Sequence, residues 1–254
     1  SISYERIGDV QVQTGQTAQA VESYQQALEI RKKLAQDDPG SAQALRDLSV
    51  SYNKIGNVQV KMGQTAQAVE SYQQGHEILQ KLAQDDPGSA QAQFDVMVSF
   101  NKLGRVHELM NHPDSALQFQ QQALAIAQKF SDDTENKWLY NYTLEIQDVI
   151  ARLQGDEQMR GNNAENALQL YQQAIELSKQ AWEYDQSNTD ARYDLHLNYR
   201  KAGQAYQALK DSPKALEYYR QAIAIVQELA QDENNRLAQD ELKILQRLVD
   251  GLNR

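Results

Sequence analysis

The sequence of 254 residues contains no cysteine. That excludes a disulfide frame, thiolate metal ligands and a thiol nucleophile. It has four prolines and twelve glycines, while alanine, glutamine, leucine and glutamate are abundant. This composition favours helix almost throughout. No run of alternating β-branched residues marks a strand. No apolar stretch approaches the roughly 18 residues of a membrane span, and no signal peptide opens the chain; a cytoplasmic setting is the expectation, with no membrane partner. Positive charge is in deficit: the formal net charge is −10, and such a chain repels phosphate backbones, which argues against nucleic acid as a partner.

Recognisable catalytic groupings are also missing. The four histidines are His76, His107, His112 and His196. No two have the i, i+4 spacing of a helical zinc site, and His107 and His112 straddle a predicted turn. There is no glycine-rich phosphate loop. Carboxylates are scattered along solvated faces, and pairs such as Asp37-Asp38 read as helix ends. The expectation is a chain without catalytic residues, metal or cofactor, and not an enzyme.

What the sequence does have is a repeat. Residues 16–26 read QTAQAVESYQQ and residues 64–74 read the same; residues 33–44 read KLAQDDPGSAQA and so do residues 81–92, both at an offset of 48. A glycine is followed twelve residues later by alanine in five places: Gly8/Ala20, Gly56/Ala68, Gly104/Ala116, Gly155/Ala167 and Gly203/Ala215. Seven residues on stands a small residue, Ala27, Gly75, Ala123, Ala174 or Ala222. Four before each glycine is Tyr4, Tyr52, Phe100, Ala151 or Tyr199, and four after each alanine is Tyr24, Tyr72, Gln120, Tyr171 or Tyr219.

Tyr52, Ile55, Gly56, Ala68 and Tyr72 occur in the order of the tetratricopeptide repeat, which the chain resembles over nearly its whole length. The period differs, 48 residues here against about 34 in the common form. The surplus is about four helical turns, which two longer helices absorb while keeping their faces in phase. Long-helix repeats of this kind resemble those of kinesin light chains and bacterial repeat proteins. The resemblance implies an all-α, right-handed solenoid of five antiparallel helix pairs closed by a C-terminal helix, a single domain over 1–254. Its copies would be about 1–38, 39–86, 87–133, 134–185 and 186–233, with the closing helix at 236–252.

The breaks follow from local chemistry. Asp37-Asp38-Pro39-Gly40-Ser41 and its copy at 85–89 stop one helix and start the next, with Ser41 or Gly40 at the new N-terminus. Thr65 is the expected N-cap of the helix over 65–84, and Pro113 starts another. Asp37 to Gly56 is 19 residues but Asp133 to Gly155 is 22, so three residues are inserted around Thr134–Tyr140, where Trp138, Tyr140 and Tyr142 gather. Ser1 aligns with Ser49, so the first copy lacks the start of its first helix, and a longer parent chain is expected.

The recurring small and aromatic positions read as packing. The resemblance implies that positions 2, 5, 9 and 12 of each first helix, counting the aromatic as 4, line a concave groove. Position 5 reads Glu5, Asn53, Asn101, Arg152, Arg200; position 9 reads Asp9, Asn57, Arg105, Asp156, Gln204; the neighbouring position 6 contributes Lys54, Lys102 and Lys201. An asparagine amide both donates and accepts, so Asn53, Asn57 and Asn101 suit a peptide backbone. Lys54, Lys102, Arg105, Arg152 and Arg200 would make the groove locally basic and suited to an acidic segment. Arg152 and Asp156 can alternatively pair on one helix face. The expected function is a protein-interaction module or scaffold that binds a partner segment in this groove as a monomer. Two alternatives stay open: the sensor or regulatory arm of a larger bacterial enzyme or switch, and a self-associating scaffold.

Overall fold

Among the described residues of the computed structural model, 1–130, 137–231 and 235–252 with the side chains of Lys137 and Trp138 excepted, there are eleven α-helices and no strand. They are α1 (Ile2–Gln13), α2 (Thr17–Asp37), α3 (Ala42–Lys61), α4 (Thr65–Asp85), α5 (Ala90–Leu109), α6 (Pro113–Lys129), α7 (Lys137–Arg160), α8 (Ala164–Tyr184), α9 (Thr189–Ala208), α10 (Ser212–Leu229) and α11 (Arg236–Leu252). Odd- and even-numbered helices are the first and second helices of the repeats, and α11 is the expected closing helix. The chain is an all-α solenoid of helix pairs. It falls into two compact units, one holding α1 to α5 and α6 as far as Ile126, the other holding α7 to α10 and most of α11.

The repeat skeleton is the core. Ala20, Ala68, Ala116, Ala167 and Ala215 are all fully buried, as are Ala123, Ala174 and Ala222. Small side chains are needed there because the paired helices approach closely. In four of the five copies the glycine lies under the tyrosine ring of its own second helix; in the third, Gly104 lies under the Gln120 side chain. A Cβ at Gly8, Gly56, Gly155 or Gly203 would fall 2.5–2.6 Å from the Cε1 of Tyr24, Tyr72, Tyr171 or Tyr219.

Capping follows the sequence with one correction. Ser41 and Ser89 accept hydrogen bonds from the Ala44 and Ala92 amides as N-caps. Thr65 does not cap: it is the first residue of α4, and the cap is Gln64, whose side chain makes no capping bond. The Gln64 N–H bonds back to the Gln59 carbonyl at 2.8 Å, so one residue both closes α3 and opens α4. Of the insertion around Thr134–Tyr140, residues 134–136 and the Trp138 side chain lie outside the described residues; Tyr140 and Tyr142 belong to α7.

Each turn within a helix pair passes through the left-handed region at the same repeat position, at Gly15 (φ 75°), Gly63 (73°), Asn111 (58°), Asn162 (57°) and Lys210 (62°). Glycine and asparagine adopt this conformation readily, whereas lysine there carries a steric cost from its Cβ of about 1–2 kcal/mol. Lys210→Gly is therefore expected to raise stability by about 0.5–1 kcal/mol, after the entropy that glycine adds to the unfolded chain. Calorimetric unfolding of the two proteins checks this; an unchanged or lower midpoint would refute it.

Candidate functional site

In the first unit, position 9 of α1 and of α3 is tied from two sides. The Tyr24 hydroxyl of α2 donates to Asp9 Oδ1 of α1 at 2.7 Å, and Lys54 of α3 reaches the same oxygen. One copy on, the Tyr72 hydroxyl of α4 donates to Asn57 Oδ1 at 2.8 Å, and Lys102 of α5 donates to that oxygen at 3.1 Å. Each ammonium also lies over the tyrosine ring, 5.5 Å from the Tyr24 centroid for Lys54 and 5.8 Å from that of Tyr72 for Lys102. The second unit repeats the arrangement: the Tyr171 hydroxyl donates to Asp156 Oδ1 at 2.6 Å and Lys201 to its Oδ2 at 2.8 Å. These tyrosine–position 9–lysine struts join three helices at a time. Burial and the Asp156 charge push the Tyr171 hydroxyl well above its usual pKa. Burial also pushes Asp9 up, but its bonds from Lys54 and Tyr24 outweigh that and hold it below the usual carboxylate value.

The struts assign several of the expected groove residues. Lys54 is paired with Asp9 and with Glu5 at 3.3 Å, so its charge is answered within the chain. Asn57 is exposed and joined to Lys102. Asn53 stands one turn before Asn57, half-buried. Its Oδ1 has no hydrogen-bond partner and lies 3.3 Å from where a Cβ on Gly75 would be. Asn101 is buried: its Oδ1 accepts from Gln120 Nε2 at 3.0 Å, and its own carbonyl from the same nitrogen at 3.2 Å. Gln120 occupies the place of the tyrosine in this copy, which turns the bond back to position 5. Asn101 is thus a support beneath the face, not part of its surface. Arg105 stands one turn beyond it on α5, half-buried.

The second unit departs further. Arg152 is fully buried, so the expectation that it lines an open groove is corrected. Its guanidinium bonds to Asn198 Oδ1 at 2.8 Å, to Asp194 Oδ1 at 3.0 Å and to Asp148 Oδ1 at 3.3 Å. Asn198 Nδ2 in turn donates to Asp148 at 2.6 Å and to Ser178 at 3.2 Å. Asp156 serves its strut with Tyr171 and Lys201. Arg200 forms an ion pair with Glu241 of α11 at 3.3 Å. The same carboxylate lies 3.8 Å from Nε2 of the fully buried His196. Burial holds the His196 pKa below its usual value, against the pull of Glu241.

Reasoning from the sequence grouped residues by helix face and so missed the struts. Their signal was available as a fixed spacing, because a lysine follows each acceptor by 45 residues, as in Asp9/Lys54, Asn57/Lys102 and Asp156/Lys201. In the first unit Asn53 and Asn57 stand on α3, and Lys102 and Arg105 on α5, with Asn57 and Lys102 joined between the two helices. No described helix is long and apolar enough to cross a membrane.

The sequence matches the tetratricopeptide repeat over residues 47–129 and again over 2–34 and 196–225, together more than half of the chain. No curated protein matches it. Among solved structures it is similar to a Rap protein complexed with Competence and Sporulation Factor, at 16% identity, 98% of this chain, 77% of that one and a TM-score of 0.51. It is also similar to BtubC (BKLC) from P. vanneervenii, at 18% identity, 92% and 88% coverage and a TM-score of 0.49. A third is the nearly identical TPR-like repeats of a Podosopora anserina putative kinesin light chain, at 21% identity, 88% and 93% coverage and a TM-score of 0.47. With its five Gly–Ala–small skeletons and its helix pairs, the chain belongs to the tetratricopeptide repeat family, a family of protein-interaction modules.

Proposed function

We propose that the chain binds a segment of a partner protein on the α3–α5 face of its first unit. The observation that carries this reading is the Asn57–Lys102 pair, joined at 3.1 Å across two helices, with Asn53 and Arg105 one turn away on either side. Asn57 Oδ1 is occupied by Lys102 and the Tyr72 hydroxyl, so the amide N–H groups of Asn57 are the donors it would offer a peptide carbonyl. The Asn53 amide supplies a second contact to backbone. Lys102 and Arg105 supply positive charge for an acidic segment. Because Tyr72 and Lys102 already hold Asn57, little side-chain freedom is lost on binding, and a preformed face keeps more of its contact energy. Lys54, paired with Asp9 and Glu5, braces the edge of the face, and Asn101 supports its floor through Gln120. Arg152 and Arg200 act in the second unit as interior and α11-facing ion-pair partners. The module is a binding element and not itself an enzyme.

The test is selection of peptides from a displayed random library on the whole chain, followed by binding to Asn53→Ala/Asn57→Ala/Arg105→Glu. The expected result is enrichment of acidic peptides whose affinity falls by about tenfold or more in the variant, about 1.4 kcal/mol, with an unchanged circular dichroism spectrum. Equal binding by the folded variant would sink the reading.

A further inference from the structure

The turn inside each helix pair closes with the same backbone bond. The N–H of the residue before the second helix donates to the carbonyl five positions back: Gln16 to Gln11, Gln64 to Gln59, His112 to His107, Asn163 to Gln158 and Asp211 to Tyr206, at 2.7–2.9 Å. This bond can bring the two side chains together as well. In the fourth copy Asn163 Nδ2 donates to Gln158 Oε1 at 3.1 Å. In the third copy both places hold histidine, and the ring centroids of His107 and His112 are 5.8 Å apart. The partner that the first two copies supply here is replaced. Ser23 and Ser71 donate to Oε1 of Gln11 and Gln59 at 2.7 and 2.8 Å. The third copy has Phe119 instead, whose ring packs on His107 with centroids 5.3 Å apart. His107 Nδ1 is shielded from solvent and has no hydrogen-bond partner, whereas His112 is exposed. Burial, and then the neighbouring His112, hold the His107 pKa below its usual value, so at neutral pH its ring keeps a lone pair to give.

We propose that His107 and His112 together bind one divalent transition-metal ion of the copper, nickel or zinc class, with water in its remaining positions. Imidazole nitrogen suits these ions, whereas magnesium and calcium take oxygen ligands. A metal about 2.1 Å from a ring nitrogen sits roughly 3 Å from the centre of that ring. Rings 5.8 Å apart can therefore share one ion once the exposed His112 ring turns toward it. A spacing of five suits no single helix face, but here the chain leaves α5 and folds back through Asn111, in the left-handed region at φ 58°. The turn bond and Phe119 already restrict His107, so little freedom is lost on binding. No group of three histidine or carboxylate ligands occurs among the described residues. The ion thus keeps open positions, as at a catalytic and not a structural metal site.

The test is isothermal titration calorimetry of the whole, untagged 254-residue chain with nickel chloride in a buffer that does not chelate metal. Saturable binding of one ion per chain is expected. His107→Gln and His112→Gln should each weaken it by about tenfold or more. Glutamine is the residue that the first two copies carry at both places, Gln11 and Gln59, Gln16 and Gln64, so both variants should fold, and circular dichroism checks this. The groove variant Asn53→Ala/Asn57→Ala/Arg105→Glu should bind nickel as the wild type does, and excess magnesium should not displace the ion. Absence of saturable binding overturns the proposal. Equal binding by either folded histidine variant also overturns it, because the ion would then not be shared by the two rings. Displacement by magnesium does the same, because it would mark an oxygen site elsewhere on this acidic chain.

Discussion

Arg152→Ala is expected to destabilise the second unit by about 3–5 kcal/mol, the largest effect of any single substitution considered. The side chain is fully buried, and its guanidinium is answered by Asp148, Asp194 and Asn198. Asp148 and Asp194 are themselves buried. Removing the arginine strands two carboxylates in a medium that solvates them poorly, and their desolvation is no longer offset. Arg152→Lys should recover little. An ammonium is a compact point charge, and the three partners are arranged for a planar fork. The decisive variant is Arg152→Met/Asp148→Asn/Asp194→Asn, which removes the cation and both anions together. It should regain most of the loss, because the cost comes from unpaired charge and not from the absence of the pair. Denaturant unfolding of the three proteins measures this. A single mutant within about 1 kcal/mol of wild type would show that the network contributes far less than its burial implies.

Gly155→Ala should cost about 1–3 kcal/mol, although alanine is the better helix former by about 1 kcal/mol. The new Cβ would lie 2.5 Å from Cε1 and 2.8 Å from Cδ1 of Tyr171. That ring cannot swing aside cheaply: it is buried, and its hydroxyl is held by Asp156 at 2.6 Å. Either the strut breaks or the two helices part. Gly75→Ala is the comparison. Its nearest neighbours would be Asn53 Oδ1 and the Ser49 carbonyl, both at 3.3 Å, and the other four copies already carry alanine at this place. It should stay within about 1 kcal/mol of wild type. If the two glycines respond alike in calorimetric unfolding, the close approach of ring to helix is not what fixes glycine at position 155.

The helices were legible because their causes are local. The Asp-Asp-Pro-Gly breaks, the Ser41 cap and the Pro113 start act over a few residues. The α4 start at residue 65 was placed correctly, but its N-cap was assigned to Thr65 instead of Gln64, because the turn is set by a backbone bond between Gln64 and Gln59, which no side-chain signal announces. The left-handed position was only half visible: Gly15 and Gly63 advertise it, whereas Lys210 does not. The candidate site was legible as a set of faces. Asn53, Asn57, Lys102 and Arg105 do stand on adjacent first helices, as the repeat spacing requires.

The sequence by itself determined the repeat, its period, the helix pairs and the small-residue skeleton, since each rests on spacing within one helix or one turn. The tertiary structure decided which charges are available to a partner. Lys54 is answered by Asp9, and Arg152 by Asp194 and Asn198, residues 45, 42 and 46 positions away in the chain. Helix periodicity places a side chain on a face, but whether its charge meets water, a ligand or a carboxylate of the neighbouring helix depends on distances of a few ångströms that only packing sets.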